Sequence, residues 1–144
     1  MHRRAVTVRV VIGDISIQPG NLRELLVDDG CGSIVSFEGL TRGSDGEVEV
    51  HSLEFDAWEE RLPSVLESIA NQAISDFGVS SVVIAHRTGT VLPGETIVCI
   101  HVGSKHRKEG FQACSWIIDE LKGQAPLWKK ETRSDGVHWK GGIG

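Results

Sequence analysis

A run of four basic residues, 105–108, follows Ser104 at the predicted start of a long helix. A helix N-terminus is already positive, because its first N–H groups have no partner within the helix and the peptide dipoles add up. Acidic residues would stabilise this end by about 0.3–1 kcal/mol each, so cations there cost stability. Amides, dipole and side chains would converge on a bound anion, which makes the segment a candidate anion site. The alternative is a solvated basic turn, partly compensated by Glu109.

A second basic group lies further along the chain. Lys122 ends the predicted helix, and Lys129 and Lys130 follow on a strand. Successive strand residues point to opposite faces, so at most one of these two lysines faces a given site. If Lys122, Lys129 and Arg107 share a pocket, neighbouring cations disfavour each other's charged form, and a partly neutral lysine could act as nucleophile or general base. Alternatively, Lys122 makes only a favourable contact with the helix dipole, and Lys129 and Lys130 are ordinary charges on a strand edge.

Two further arginines stand on glycine-containing turns. Arg42 lies in the segment 39–43, and Arg87 follows His86 at the end of a predicted strand. A guanidinium suits two-pronged binding of phosphate or carboxylate, but a surface position explains either arginine as well. The histidines lack metal-ligand spacing and no phosphate-binding or nucleophile motif occurs, so we expect no metal and no cofactor. The acidic residues cluster on predicted solvent faces, so we expect no paired carboxylates for acid–base work.

The elements that must position these residues follow from hydrophobic spacing. Apolar residues at spacings of three and four predict a helix over 58–77, with Pro63 in its first turn and Gly78 ending it. A second helix is predicted over 104–122, with Phe111 on its buried side and Gly123 closing it. Alternating and β-branched runs predict strands over 6–12, 32–40, 47–55, 81–85, 96–102, 127–131 and 137–140. The last two are predicted to form a short hairpin around residues 134–136. This order predicts a single α+β domain over 1–144, mostly antiparallel, with both helices on one side.

Charge is distributed unevenly along the 144 residues, whose formal net charge is -5 at pH 7. Residues 1–100 carry 7 Lys/Arg against 15 Asp/Glu, whereas residues 101–144 carry 8 against 5. A nucleic-acid-binding domain usually shows a basic face throughout, so we expect no nucleic-acid partner but one basic site on an acidic body. No apolar run reaches the length of about 18 residues that a membrane span needs, so no membrane partner is expected.

The cysteines and the N-terminus bear on the compartment. Cys31, Cys99 and Cys114 are odd in number and widely spaced, and no CxxC pair occurs. We therefore expect reduced, buried thiols rather than a disulfide framework or a zinc site. The segment 1–12 begins with basic residues but has no signal-peptide pattern, so the cytoplasm is the expected location.

Several segments, in the right order, resemble the large, catalytic subunit of molybdopterin synthase, the MoaE family. The likeness extends from about Val10 to Trp139, and several segments in order are far more specific than any single motif. The best-matching ones are FEGLTR (37–42), LEFDAW (53–58), HRTG (86–89), VLPGE (91–95), SKHR (104–107) and LKGQAPLWKKE (121–131).

The resemblance implies a fold of the α/β-hammerhead type and a sulfurtransferase. Two copies would form a homodimer, and each would bind a small ubiquitin-like sulfur-carrier subunit, giving a heterotetramer. The carrier's C-terminal Gly-Gly tail, as a thiocarboxylate, would donate sulfur twice to cyclic pyranopterin monophosphate and so form the dithiolene of molybdopterin. A non-catalytic module that binds such a carrier or an anionic ligand is the alternative.

The resemblance also implies roles for five residues. Lys122 and Lys129 correspond to the catalytic lysines, and Arg42, His106 and Arg107 to residues that bind the substrate or the carrier tail. We assign acid–base or nucleophilic work to Lys122, with Lys129 and Arg107 stabilising negative charge that develops at the tail's carbonyl.

Overall fold

The computed structural model of the protein describes residues 7–141. Within this range the helices are α1 (Pro19–Arg23), α2 (Leu62–Phe77) and α3 (Arg107–Gln124). The strands are β1 (Val8–Gly13), β2 (Ser33–Leu40), β3 (Ser44–Asp45), β4 (Val48–Ala57), β5 (Ser81–Arg87), β6 (Gly89–Val91), β7 (Thr96–Ser104), β8 (Leu127–Arg133) and β9 (Gly136–Gly141). All seven predicted strands and both long helices are present, and α1, β3 and β6 were not predicted. Val6, the first residue of the first predicted strand, lies outside the described residues.

The first sheet has the strand order β1-β5-β7-β2. Only β1 and β5 run parallel, and the other pairs are antiparallel. Every residue of β5 is buried, because the sheet is covered on both faces. Val82 and Ile84 pack into the core beneath α2 and α3, whereas Val83 and Ala85 point to the other face, towards the short helix α1. The predicted α+β class with mostly antiparallel strands is confirmed, and both long helices lie on one side.

The second sheet has the order β3-β4-β8-β9, with β6 also paired to β4. Strand β8 is antiparallel to β4 on one side and to β9 on the other. The β8–β9 hairpin turns at Ser134 and Asp135, as the sequence predicts. Strand β8 of this sheet brings Lys129 towards Lys122 in the C-terminal half of α3.

Helix α2 ends as the sequence predicts. Pro63 lies in its first turn, where its missing N–H costs nothing. Gly78 caps the C-terminus in the left-handed conformation, with φ 72°, and its N–H donates to Ile74 O. The predicted start at Trp58 is four residues early, because residues 58–61 form a turn that precedes the helix.

Helix α3 differs from its predicted bounds at both ends. Ser104 is the last residue of β7 rather than the N-cap, and its Oγ donates to His106 O while His106 takes the capping position. Gly123 lies inside the helix, which ends at Gln124 with Ala125 as its C-cap. Phe111, predicted to be buried, is 62% exposed. Of the basic run 105–108, only its last two residues are therefore helical.

Candidate functional site

A cavity of about 300 Å³ opens between the second sheet and the C-terminal half of α3. Its walls combine cationic and apolar side chains. Arg42 from the loop after β2, Lys122 from α3, Lys129 from β8 and Lys140 from β9 supply the positive charge. Phe37, Leu53, Ile97, Ile118 and Leu121 are among the apolar residues of its wall. Four separate elements thus bring cations to one place.

Helix and strand periodicity position the lysines. Ile118, Leu121 and Lys122 are spaced by three and four residues, so they share the face of α3 that lines the cavity. On β8, Lys129 and Glu131 point the same way because they are two residues apart. Lys130 points to the opposite face, where its Nζ lies 4.0 Å from Glu54 Oε2 and 5.7 Å from the ring centre of Trp139. The prediction that only one of the two neighbouring lysines can face a site is confirmed.

The loop that carries Arg42 is held by main-chain hydrogen bonds. Thr41 N–H donates to Glu95 O at 3.0 Å, and Gly94 N–H donates to Thr41 O at 2.8 Å. The Glu95 carboxylate in turn accepts from Leu92 N–H, and this bond, aided by the nearby Arg87, lowers the pKa of that carboxyl. The turn before β7 therefore fixes the position of the loop next to the cavity.

Arg87 is a buried structural residue rather than a surface one. Its side chain donates to Thr90 O at 2.8 Å and lies 3.5 Å from Glu95 Oε2. Only 5% of the residue is exposed, so it is not free to bind a ligand from solvent. Since Glu95 O accepts from Thr41 N–H, Arg87 supports the Arg42 loop from behind.

The cavity holds more cations than its carboxylates neutralise. The acidic residues of its wall are Asp45 and the buried Glu131, and Asp45 lies 3.8 Å from Arg133. Within residues 7–141, no carboxylate lies within 4.0 Å of the charged nitrogens of Arg42, Lys122 or Lys140. Three cations around one cavity that have no carboxylate partner in this described range favour the binding of an anion.

The cavity disfavours the charged form of Lys129. Its partial burial lowers its pKa, and the positive charges of Lys140, Arg42 and Lys122 lower it further, while Glu131 opposes them. Lys129 is thus held closer to the neutral form than an exposed lysine. An anion bound between these groups would restore its charged form.

Lys140 and Glu131 are charged residues of the cavity that were not predicted from the sequence. Lys140 is paired with Lys129 across β8 and β9, so both side chains lie on one face of the hairpin. Glu131 shares that face by alternation, although acidic residues were expected on solvent faces. The signal for both was present: once Lys129 is placed in a site, period-two alternation and hairpin register also place Glu131 and Lys140 there.

The structure does not bring His106 and Arg107 into this cavity within one chain. His106 caps the N-terminus of α3 and Arg107 begins the helix, whereas Lys122 lies near its other end. At 1.5 Å per residue, the 15 positions from Arg107 to Lys122 span about 22 Å. Both residues are exposed. The predicted anion site at the helix N-terminus and the lysine cavity are therefore two separate places on one chain.

His86 is buried in the core, where burial favours its neutral form. Its Nδ1 lies 2.6 Å from Arg87 O and its ring meets Phe55 edge-on, with ring centres 5.2 Å apart. Among the described residues Nε2 has no hydrogen-bond partner. Burial lowers the pKa of His86 from 6.5 to about 4, although the hydrogen bond to Arg87 O opposes the shift.

This neutral histidine makes stability dependent on pH. Between pH 6.5 and about 4 the unfolded chain gains a proton at His86 that the folded chain does not accept. The contribution of neutral His86 to the free energy of unfolding is fully present above pH 6.5. It is lost as the pH falls towards 4, which lowers the free energy of unfolding by up to about 3 kcal/mol. Denaturant unfolding at several pH values should show a steeper acid loss for the wild type than for His86→Gln. Equal pH slopes in the two proteins would contradict this assignment.

Two negative findings concern the described part of the chain. Residues 7–141 contain no group of three or more His, Cys, Asp or Glu side chains placed to hold a metal ion. No helix in that range has both the length and the apolar character needed to cross a membrane.

The fold and the cavity define an α+β protein with a cationic, partly apolar pocket at the meeting of its two sheets. The family model described as MoaE protein matches residues 12–124. The molybdopterin synthase catalytic subunit of Pyrococcus abyssi is 36% identical over 115 residues, which are 80% of this chain and 78% of that protein. The chain therefore belongs to the MoaE family, whose members are catalytic subunits of an enzyme of molybdenum cofactor biosynthesis.

Solved structures agree with this placement. The crystal structure of molybdopterin synthase from Staphylococcus aureus matches with a TM-score of 0.82 and 28% identity, covering 97% of this chain and 99% of that one. A chain of the protein–protein complex of subunits 1 and 2 of the molybdopterin-converting factor from Helicobacter pylori matches with a TM-score of 0.72 and 24% identity, over 93% of this chain and 90% of that one. The second likeness is one of fold.

Proposed function

We propose that this chain transfers sulfur from the C-terminal thiocarboxylate of a small ubiquitin-like carrier to cyclic pyranopterin monophosphate. In each transfer the thiocarboxylate sulfur bonds to a pterin carbon as a C–O bond of that carbon breaks, and water then cleaves the resulting thioester at its carbonyl. The sulfur stays on the pterin, the carrier is left with a carboxylate, and two transfers form the dithiolene of molybdopterin. The observation that carries the proposal is the convergence of Arg42, Lys122 and Lys129 on one cavity. Relatives of this chain are named as catalytic subunits of molybdopterin synthase, which supports the reaction class.

The charges of the two reactants match this cavity. The pterin carries a cyclic phosphate and the carrier tail ends in a thiocarboxylate, so two anions must meet in one place. Arg42 presents a planar fork suited to phosphate or carboxylate, and the lysines act as compact point charges. Apolar side chains such as Phe37 and Leu121 exclude water and strengthen these interactions.

Lys122 and Lys129 have different roles in the reaction. Lys122 acts as the acid–base or nucleophilic group, since it lies on a rigid helix and reaches the cavity beside Leu121. Lys129, half-buried on β8, stabilises the negative charge that develops on the oxygen of the tail's carbonyl when it is attacked. Its lowered pKa makes its charge sensitive to what the cavity holds.

The assembly follows from where the remaining site residues lie. A carrier subunit is the proposed partner, and the similarly folded chain from Helicobacter pylori was solved as a complex of two subunits. Because His106 and Arg107 lie about 22 Å along α3 from Lys122, we place them in the cavity of a second copy. A symmetric homodimer presents the same residues to both cavities.

We place the reaction in the cytoplasm. Cys99 and Cys114 are free and buried, and Cys31 is free and partly buried. Burial raises the pKa of the Cys99 and Cys114 thiols to about 11, so both stay protonated and unreactive at neutral pH. Unpaired thiols of this kind are typical of proteins in reducing compartments.

Reconstitution tests the proposal directly. The purified chain, a thiocarboxylated carrier and cyclic pyranopterin monophosphate are combined, and molybdopterin is measured after conversion to a fluorescent derivative. We expect product that depends on all three components and two carrier molecules consumed for each molybdopterin. The same carrier with an ordinary C-terminal carboxylate is the control and should give none. Tight carrier binding without product would support a non-catalytic binding module instead.

A further inference from the structure

Lys140 is a cation of the cavity to which neither the family resemblance nor the relatives' names give a role. It lies on β9, opposite Lys129 of β8 in the hairpin register. Lys140 and Lys129 both line the cavity, whereas the neighbouring Trp139 projects to the other face, beside Lys130. The hairpin therefore presents two lysines, one exposed and one half-buried, towards the same space.

The surroundings of Lys140 leave its charge available. Within residues 7–141 no carboxylate lies within 4.0 Å of its Nζ. Lys130, its counterpart on the opposite face, has Glu54 at 4.0 Å and the ring of Trp139 at 5.7 Å. One face of the hairpin thus pairs Lys130 with a carboxylate, whereas on the other face Lys140 lies at the cavity with no carboxylate within 4.0 Å among residues 7–141.

We propose that Lys140 is a substrate-binding residue that contacts the phosphate of the pterin at the mouth of the cavity. This inference rests on the proposed function. The phosphate is the anionic group of the pterin, so it suits an exposed cation at the rim, beside the more buried Lys129. A charge-assisted contact to this group holds the substrate in the cavity.

Lys140 also affects the protonation of Lys129. The positive charge of Lys140 is one of the causes that lower the pKa of Lys129, after the effect of burial. If Lys129 must be protonated to stabilise negative charge, the rate falls at alkaline pH as Lys129 loses its proton. Removing the charge of Lys140 raises the pKa of Lys129 and moves this alkaline fall to higher pH.

The test compares Lys140→Ala with Lys140→Arg, which keeps the charge, and with Lys130→Ala, which removes a lysine from the other face of the same hairpin. Binding of cyclic pyranopterin monophosphate is measured by calorimetry without carrier, so that no turnover occurs. We expect Lys140→Ala to weaken binding about fivefold or more, with Lys140→Arg and Lys130→Ala close to wild type. In the complete enzyme, KM for the pterin should rise more than kcat falls, and the alkaline limb of kcat should move up in Lys140→Ala alone.

Inorganic phosphate, measured by the same titration, separates failure of this inference from failure of the proposed function. If Lys140→Ala binds the pterin as tightly as the wild type does, the role of Lys140 is overturned and the proposed function is left intact. Phosphate binding that depends on Lys140, together with no binding of the pterin, supports the anion contact and overturns the proposed substrate. If the wild-type chain binds neither compound, both proposals are wrong.

Discussion

Replacing Lys122 by alanine is expected to lower the rate of molybdopterin formation by roughly 10²–10⁴-fold, the range typical of a lost acid–base group. Lys122 lies near the end of α3 and lines the cavity together with Leu121 and Lys129. The side chain is exposed and makes no ion pair within the described residues, so its removal leaves no buried charge behind. Folding and carrier affinity should therefore be retained. Single-turnover assays give the rate, and calorimetry gives the carrier affinity.

Lys122→Arg separates the two ways in which this lysine could act. Arginine keeps the positive charge but does not lose its proton in proteins, so it cannot serve as a base or nucleophile. We expect Lys122→Arg to be nearly as slow as the alanine variant. Recovery of most of the activity would instead show that Lys122 supplies only charge, and wild-type turnover in Lys122→Ala would remove it from the mechanism.

The second basic group illustrates how far sequence can lead to the site. The alternation of strand side chains predicts that Lys129 and Lys130 face opposite ways, which the structure confirms. The same rule reaches Glu131, and the predicted hairpin reaches Lys140, yet neither was identified. Charged residues on a strand look alike until one face is known to be enclosed. Which face is enclosed depends on where α3 packs, and no local sequence pattern gives that position.

The first basic group shows where local rules fail. Ser104 has the residue type and the position of a helix N-cap, but β7 continues through it because it pairs with Ser33 of β2, and Ser104 O accepts from Gly32 N–H at 3.0 Å. These contacts join residues about seventy positions apart, and they outweigh the capping preference of the residue. The helix consequently starts three residues later.

Arg42 and Arg87 illustrate a different limit. Both are arginines near glycines, and both suit an anion equally well by chemistry. The structure separates them by burial: Arg42 is exposed at the cavity, while Arg87 is buried and braces the turn beneath it. The family resemblance selected Arg42 from the sequence, because residue type and local spacing alone could not distinguish the two.

The position of Arg107 leads to a second prediction with a large effect. Arg107 and Lys122 lie at opposite ends of α3, about 22 Å apart. If both act on one substrate, they must come from different copies of the chain. Arg107→Ala and Lys122→Ala should each be strongly impaired when assayed alone. A dimer containing one copy of each variant, however, has one cavity with an intact Lys122 from one chain and an intact Arg107 from the other.

Mixing the two variants tests this arrangement by counting restored sites. Equal amounts, dissociated and reassociated together, give about half mixed dimers, and each of these has one intact and one doubly altered cavity. About a quarter of the wild-type activity should therefore return, although neither variant is active alone. Mixing Lys122→Ala with Lys129→Ala is the matched control: both lysines line one cavity of one chain, so neither cavity of that mixed dimer is intact. No recovery in the mixture of Arg107→Ala and Lys122→Ala would contradict the shared site, because it would place Arg107 and Lys122 in the same cavity of one chain.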